Sequence, residues 1–229
     1  MFGPLELDGL RIFLRQRGNG PGVGNCVACH PPPAFTDFAF HNTGAAQDEY
    51  DAIHGAGRFA ALTIPDAATR AADPDAFLPP TPARPLARGR FRAVPDALDP
   101  GLADLGLWNV LLSPNIPKGP RQRRLARLVC RVQGLGPGCA RAGDDALLAG
   151  AIALFKTPGL RDLGHSAPYN HNGRLVTLEE VVDFYIRTSD LAASGELRNA
   201  APELARMRIG ASDIARLGAF LRSLNEDYE

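Results

Sequence analysis

The sequence predicts a mainly α-helical protein whose helices are separated by long loops. Several segments repeat apolar residues at helical spacing, whereas no segment alternates apolar and polar residues over the length of a strand. The chain also contains 24 glycines and 20 prolines among 229 residues, and both residue types end helices and form turns. A chain of this length can bury a substantial core in one large domain or two small ones.

The first predicted helix covers residues 4 to about 17, where Leu10, Phe13 and Leu14 recur at helical spacing. Four glycines between positions 18 and 24 then loosen the chain. They lead into the motif Cys26-Val-Ala-Cys-His30, and the three prolines that follow it prevent a long helix there.

The Cys26-x-x-Cys29-His30 motif is typical of covalent attachment of a c-type haem. The two thiols can form thioethers to the haem vinyl groups, and the imidazole of His30 can take one axial position of the iron. Half of a zinc site or a redox dithiol are the alternatives. A zinc site would need a second ligand pair and a redox dithiol would need a βαβ context, and the sequence shows neither. We therefore predict a cytochrome c-like domain with one covalent haem c.

The middle of the chain shows weaker patterns. Residues 66 to 100 are rich in alanine, proline and arginine without a sustained period, which predicts an extended loop on the surface. The next segment combines basic residues with an apolar stripe and predicts an amphipathic helix with a solvated basic face. A docking face for an acidic redox partner is the alternative. The basic residues are Lys118, Arg121, Arg123, Arg124, Arg127 and Arg131, and the stripe is Leu125, Leu128 and Val129.

Cys130 and Cys139 bracket a short loop rich in glycine and proline. In an oxidising compartment these two cysteines would close a disulfide, and two free buried thiols are the alternative. The apolar segment from 144 to 155 then predicts a helix that Pro158 and Gly159 end.

Two more helices are predicted near the carboxyl end of the sequence. Thr177-Leu-Glu-Glu180 forms a capping box, and the stripe of apolar residues behind it is expected to point Tyr185 into the core. Ser212 can cap a last helix, which we expect to pack on the first one. The two stripes are Leu178, Val181, Val182 and Tyr185, and Ile214, Leu217, Leu221 and Leu224.

Charge and hydropathy exclude some classes of partner. Lysine plus arginine and aspartate plus glutamate both number 25, so no global field favours nucleic acid or an anionic membrane. The longest apolar run, residues 146 to 155, is about half the length of a membrane span. The sequence start lacks the features of a secretory signal, yet bacteria attach c-type haem outside the cytoplasm. We therefore expect a periplasmic protein whose signal was removed, or the back part of a longer chain.

Six motifs carry a family resemblance. They are Cys26-Val-Ala-Cys-His30, Phe35-Thr-Asp37, Phe40-His-Asn-Thr-Gly44, Phe155-Lys-Thr-Pro-Gly-Leu-Arg161, Ala167-Pro-Tyr-Asn-His-Asn-Gly173 and Thr177-Leu-Glu-Glu-Val-Val182. In this order they resemble the C-terminal haem domain of bacterial di-haem cytochrome c peroxidases and MauG-type enzymes. The resemblance implies one c-type cytochrome domain over residues 1–229, with a loop insertion at about 48–140. It also implies the electron-transfer half of an oxidoreductase that acts with hydrogen peroxide.

The resemblance also implies roles for individual residues. In that family the sixth iron ligand is Met or Tyr, at a position fourteen residues after the histidine of Pro-Tyr-x-His, which is Tyr185 here. A calcium ion bound partly by the backbone carbonyls of Ser166 and Pro168 is implied too. Arg161 and Lys156 are expected to offset haem propionates. From the residues alone, further candidates for the sixth ligand are Met207, His165, His171, His41 and His54.

The family carries another haem in an N-terminal domain with its own C-x-x-C-H. The present sequence has one such motif, so the expected partner is a second haem domain or a redox partner protein. Trp108 lies in the weakly matching region, and we expect it to be a core residue rather than a bridge between haems. Two alternatives are a stand-alone mono-haem electron carrier, and a mono-haem peroxidase with His165 or His171 as general acid-base.

Overall fold

The structure is a computed structural model that describes residues 2–18, 20–114, 119–134, 136, 139 and 143–225. Within these residues the chain is mainly helical and has one small two-stranded sheet, as the sequence predicted. The helices are α1 (Pro4–Leu14), α2 (Ala45–His54), α3 (Ala67–Ala72), α4 (Pro74–Phe77), α5 (Pro120–Val132), α6 (Asp144–Gly150), α7 (Leu178–Ser194) and α8 (Ala211–Arg222), and the strands are β1 (Phe40–His41) and β2 (Phe155–Lys156).

The chain divides into two compact units. The first unit consists of Met1–Ala39, Lys156–Gly195 and Pro202–Glu229, and the second of Phe40–Phe155 and Glu196–Ala201. No helix in the described part of the chain has the length and apolar character that crossing a membrane requires.

The first unit is built on the predicted packing of α1 against α8. The close approach of the two helices requires glycine at position 9, because a Cβ there would overlap the backbone carbonyl of Arg216 and the side chain of Phe220. Next to this contact the rings of Phe13 and Phe220 lie 5.1 Å apart. The core of the unit contains Ile12, Phe13, Phe35, Leu163, Leu178, Val182, Leu217, Phe220 and Leu221.

The helix starts in this unit follow local hydrogen bonding. The predicted capping box of α7 is confirmed, since Thr177 Oγ1 accepts from Glu180 N at 3.1 Å and Glu180 Oε2 accepts from Thr177 N at 3.2 Å. Ser212 is not the cap of α8. The helix starts at Ala211, and the carboxylate of Asp213 accepts from Gly210 N at 3.1 Å.

The second unit has a core of its own, and this core changes the interpretation of residues 66 to 100. Its first part is not a surface loop, because it forms α3 and α4 and contributes the buried Arg70. Residues 78–100 form no helix or strand and expose Leu86, Val94 and Leu98, as the predicted surface loop would. Arg70 donates to the carbonyl oxygens of Trp108 at 2.5 Å and Leu111 at 2.7 Å, and its guanidinium lies 4.7 Å from the Trp108 ring centre. Trp108 is fully buried, so its prediction as a core residue is confirmed.

The predicted basic helix is present as α5, with its arginines exposed and Ala126, Val129 and Val132 buried. Lys118 lies outside the described residues. The disulfide between Cys130 and Cys139 is confirmed, with their Cα atoms 5.7 Å apart.

The apolar helix α6 ends at Gly150, well before Phe155. The residues that follow it pair with another segment of the second unit instead. Ala153 N donates to Leu105 O at 3.0 Å, and Leu107 N donates to Leu154 O at 2.9 Å. Because these backbone groups have partners outside the helix, the chain leaves the helical path without losing hydrogen bonds.

Candidate haem attachment site

The cysteine motif lies on a short 3-10 turn, Cys26–Ala28, in the first unit. The chain enters the turn through Gly24, where a Cβ would crowd the carbonyl oxygen of Ile12 at 2.5 Å. Backbone hydrogen bonds fix this entry, from Gly24 N to Ile12 O at 3.0 Å and from Asn25 N to Arg15 O at 2.9 Å. The end of α1 therefore determines where the turn begins.

Asn25 connects the turn to the segment before α8. Its backbone is left-handed, with φ at 51°, and its side chain is buried. The side-chain Nδ2 donates to Glu203 O at 2.8 Å. Two residues earlier, Val23 pairs with Arg208 through backbone hydrogen bonds of 3.1 and 2.8 Å. The motif is thus held on two sides by elements of the first unit.

Cys26 and Cys29 are free and half-buried. Desolvation raises the pKa of Cys26 to about 12. Desolvation also raises the pKa of Cys29, and the nearby carboxylates of Glu203 and Asp37 raise it further. Dithiol redox chemistry uses thiolates, so these environments disfavour a redox dithiol. Cys26 and Cys29 are not joined by a disulfide, so both thiols are available to form thioethers.

His30 is oriented by its own hydrogen bonds. The ring Nδ1 lies 2.8 Å from Phe35 O. Because a carbonyl oxygen only accepts, Nδ1 carries the proton, and the lone pair of the neutral ring lies on Nε2. Metal-bound histidines usually donate their second ring nitrogen to such an acceptor, which fixes the tautomer and ring orientation. The arrangement of His30 therefore fits an axial ligand that coordinates through Nε2.

Packing of Phe35 holds the acceptor in place. Its backbone is left-handed with φ at 51°, a conformation that is unfavourable for a bulky residue and needs support from its surroundings. Its ring lies 5.9 Å from that of Phe13 and 6.3 Å from that of Phe220. The contact between α1 and α8 therefore also positions the carbonyl that orients His30.

Sequence reasoning missed Asn25 and Phe35 as supports of the motif. An asparagine directly before Cys26 was a usable signal, because Asn tolerates the left-handed conformation better than most residues. The contribution of Phe35 is a backbone carbonyl, and a carbonyl gives no signal in the sequence.

The candidates for the sixth ligand differ from expectation in their burial. Tyr185 is half-buried on α7 and lies outside the core of the first unit, so its expected position in that core is wrong. Its ring packs edge-on against Phe184, with the ring centres 5.4 Å apart. Met207, expected on a half-exposed turn, is 7% exposed. The prediction for Tyr185 from the helical stripe was wrong because the residues of that stripe in the core are Leu178 and Val182.

The histidine candidates lie in different places. His165 is exposed, and its Nδ1 pairs with Asp162 Oδ1 at 2.9 Å. His171 is also exposed, and His41 and His54 belong to the second unit. This contact with Asp162 fits a structural role for the exposed His165.

The remaining predicted site residues lie at the surface of the first unit. Arg161 and Lys156 are exposed, and Lys156 Nζ lies 6.0 Å from the centre of the Phe38 ring. Ser166 and Pro168 are exposed after the 3-10 turn Leu163–His165. Calcium takes about six to eight oxygen ligands, so two backbone carbonyls are too few to define a calcium site on this chain.

The chain is similar to known cytochrome-c peroxidases. No protein-family model matches it. It is 39% identical over 220 residues to cytochrome-c peroxidase IdrP2 of Denitromonas iodatirespirans, which covers 96% of this chain and 39% of that protein. It is 35% identical over 74 residues to cytochrome-c peroxidase IdrP1 of Pseudomonas sp. (strain SCT), covering 32% of this chain and 18% of that protein.

A third relative shares a shorter region. The methylamine utilization protein MauG of Methylorubrum extorquens is 58% identical over 33 residues, which covers 14% of this chain and 9% of that protein. The chain spans about two fifths of the length of the IdrP2 protein it matches. The motifs of the first unit and these similarities agree, and the chain belongs to the family of bacterial di-haem cytochrome c peroxidases and MauG proteins.

Proposed function

We propose that this chain binds one covalent haem c and acts as the electron-transfer half of a peroxidase-type or MauG-like oxidoreductase that uses hydrogen peroxide. One observation carries the proposal, namely two free thiols on a fixed turn next to an imidazole whose Nδ1 donates to Phe35 O at 2.8 Å. The similarity to cytochrome-c peroxidases over almost the whole chain supports the reaction class.

Each residue of the motif has a distinct task in this function. Cys26 and Cys29 hold the porphyrin edge through thioether bonds, so the cofactor stays bound in every oxidation state. His30 gives Nε2 to the iron while its Nδ1 hydrogen bond to Phe35 prevents rotation of the ring. The haem supplies the one-electron chemistry when it is bound. The protein contributes a ligand with a fixed orientation.

Tyr185 is the proposed sixth ligand, because it occupies the ligand position of the family. Its helix α7 has a fixed start, since the capping box at Thr177 and Glu180 sets the first turn. A phenolic oxygen favours ferric iron and lowers the reduction potential relative to a thioether. The buried Met207 is the competing ligand and would give a higher potential. Both arrangements close the sixth position and favour electron transfer over peroxide binding at this haem.

The proposal also covers the haem propionates and the cellular compartment. Arg161 and Lys156 offset the haem propionates, as their positive charge permits. The disulfide between Cys130 and Cys139 supports an oxidising compartment, and the periplasm is where bacteria attach c-type haem. Peroxide chemistry then takes place at a second haem, supplied by another domain or by a redox partner protein. No step requires a calcium ion at Ser166 and Pro168.

The test is to mature the chain in a periplasm with the c-type haem attachment machinery. Covalent haem is measured by mass spectrometry after denaturation, and the ferric iron by absorption and electron paramagnetic resonance spectra with and without hydrogen peroxide. The variant Cys26→Ala/Cys29→Ala should lose the covalent haem. The matched control Cys130→Ser/Cys139→Ser removes the other two cysteines and should retain it.

The spectra separate the competing functions. A low-spin ferric signal that peroxide leaves unchanged is expected for the electron-transfer half. A high-spin signal that peroxide alters would show that this chain reacts with peroxide by itself, and the assignment of the sixth ligand would be wrong. Absence of covalent haem in the matured wild-type chain would contradict the proposal as a whole.

A further inference from the structure

The helix α5 of the second unit concentrates positive charge in a chain with no net charge. It carries five arginines and no acidic residue, and all five side chains are exposed. With 3.6 residues per turn, four of the five lie within an arc of roughly 100° around the helix axis. The five residues, called the arginine band below, are Arg121, Arg123, Arg124, Arg127 and Arg131.

The described residues do not neutralise the arginine band. Among the described residues, none of these guanidinium groups forms a hydrogen bond or an ion pair. The acidic residues of the neighbouring helix α6 act elsewhere. Asp145 Oδ1 accepts from Ala67 N at 2.6 Å. Burial lowers the pKa of Arg70 to about 10, and the charge of Asp144 opposes part of that lowering. Five like charges held close together repel each other, and an acidic partner would relieve that repulsion.

A groove of about 380 Å³ lies beside the arginine band. Its apolar lining consists of Val110, Leu125 and Leu128, and Val110 is 38% exposed. The charged lining consists of Arg121 and Arg124, the two members of the band nearest to it. The groove therefore offers an apolar pocket with cations at its edge.

Gln122 adds a polar group to the same groove. It is 8% exposed, and its Oε1 accepts from Leu112 N at 3.2 Å, which identifies the oxygen and the nitrogen of the amide. Its buried Nε2 has no hydrogen-bond partner among the described residues. A buried donor without a partner is unfavourable by about 1 to 3 kcal/mol. A carboxylate or carbonyl oxygen of a bound chain would accept this bond.

The helix presents these groups on a firm support. Its opposite face is buried through Ala126, Val129 and Val132, and Cys130 is joined to Cys139 by the disulfide. A preformed surface loses less conformational entropy on binding than a mobile one.

We propose that the arginine band and the adjoining groove bind an acidic segment of a partner protein, which inserts one apolar side chain between Val110 and Leu128. The carboxylates of the segment pair with the arginines, and an oxygen of the segment accepts from Gln122 Nε2. A membrane fits less well, because lipid binding needs apolar side chains that protrude, whereas Leu125 and Leu128 are half-buried in a concave lining. Single-stranded nucleic acid binds through aromatic stacking, and the lining has no aromatic side chain.

The probe is a short fluorescent glutamate-rich peptide with one central leucine, and binding is measured by fluorescence anisotropy at low and physiological salt. We expect Arg124→Glu/Arg127→Glu to raise the Kd about tenfold or more, because two attractive charges become repulsive. Replacing the peptide leucine by serine should weaken binding about tenfold through lost apolar burial. The matched control is Arg88→Glu/Arg92→Glu, which reverses two exposed arginines of the same unit and should change the Kd less than about twofold.

Two results would overturn the proposal. Equal weakening in the control pair would show that only net charge matters. Binding of phosphatidylglycerol vesicles without binding of the peptide would identify a lipid surface instead. Circular dichroism confirms that each variant is folded. Because the assay does not depend on the state of the iron, its failure is distinguishable from a failure of the proposed haem function.

Discussion

His30 Nδ1 and Phe35 O lie 2.8 Å apart, and this hydrogen bond couples the orientation of the proposed iron ligand to the packing of α1 on α8. The acceptor belongs to a phenylalanine whose ring packs against those of Phe13 and Phe220. The orientation of His30 is therefore sensitive to a core residue that bonds to it through its backbone carbonyl.

We predict that Phe35→Ala lowers the free energy of unfolding by about 3 to 5 kcal/mol, since a large core ring is removed. The ferric spectrum should also become heterogeneous because the acceptor carbonyl is less firmly held. Phe38→Ala is the matched control, because Phe38 also has a positive φ of 57° but is 64% exposed. It should change stability by less than about 1 kcal/mol. If Phe35→Ala left the ferric spectrum unchanged, the orientation of His30 would not depend on the packing of the Phe35 ring.

The sixth ligand is tested by two substitutions that conserve side-chain volume. Tyr185→Phe removes the phenolic oxygen and should convert low-spin ferric haem to high-spin, as seen by electron paramagnetic resonance. Met207→Leu removes the thioether of a buried residue and should leave the spectrum unchanged. The reverse pattern would assign the ligand to Met207. No change in either variant would exclude both residues.

Asn25 is expected to stabilise the motif through both its backbone and its side chain. Asn25→Ala should lower the unfolding free energy by about 2 to 4 kcal/mol, because alanine tolerates φ of 51° poorly and the bond to Glu203 O is lost. Asn25→Gly loses only the hydrogen bond and should cost about half as much. Urea unfolding of the three proteins measures both differences. If both variants lost the same unfolding free energy, the left-handed backbone conformation of Asn25 would contribute nothing to the difference between them.

The helices were predictable where local signals decide the structure. The periodicity of α1 and the capping box of α7 involve residues within a few positions of each other, so the sequence carries both. The end of α6 was not predictable, because Ala153 and Leu154 bond to Leu105 and Leu107 far away in the chain. Residues 66 to 100 show no apolar period because part of their burial comes from Arg70, which packs against Trp108. A single buried arginine does not require a repeating stripe of apolar residues.

The candidate site likewise has residues that local spacing identifies and residues that depend on distant contacts. Cys26, Cys29 and His30 were evident because their spacing alone identifies the chemistry. The supports of the motif were not evident, because Glu203 and Phe35 contribute backbone carbonyls that any residue has. Burial of Met207 was misjudged from its arginine neighbours, since side chains of adjacent residues can point in different directions.

The crossing of α1 and α8 gives a prediction at Gly9. In an exposed helix, Gly→Ala usually stabilises by about 1 kcal/mol. Here the added methyl group would overlap the carbonyl of Arg216, so Gly9→Ala should lower the unfolding free energy by about 1 to 3 kcal/mol. Gly20→Ala is the control because nothing lies within 4 Å of its added Cβ. A thermal shift of similar size in both variants would contradict the close helix contact.

The contact between α7 and α8 gives a prediction about pH. Arg222 Nη1 donates to Glu179 Oε1 at 2.6 Å, and this bond lowers the pKa of Glu179 below its ordinary value near 4.5. A carboxyl group with a lowered pKa in the folded state stabilises the fold fully above its unfolded pKa, and it loses that contribution as the pH falls through the lowered value. Both side chains are about half exposed, so the contribution is less than about 1 kcal/mol.

We therefore expect Glu179→Gln to lower the unfolding free energy at pH 7, and the difference from the wild type to shrink as the pH falls below the ordinary carboxyl pKa near 4.5. Urea titrations across the acid range measure the two curves. Added salt should reduce the difference at pH 7, because the pair is exposed to solvent. Asp190→Asn is the control on the same helix, and it neutralises an exposed carboxylate that has no such partner in the described part of the chain. If the Glu179→Gln and wild-type curves stayed parallel through the acid range, the ion pair would contribute nothing to the packing of α7 on α8.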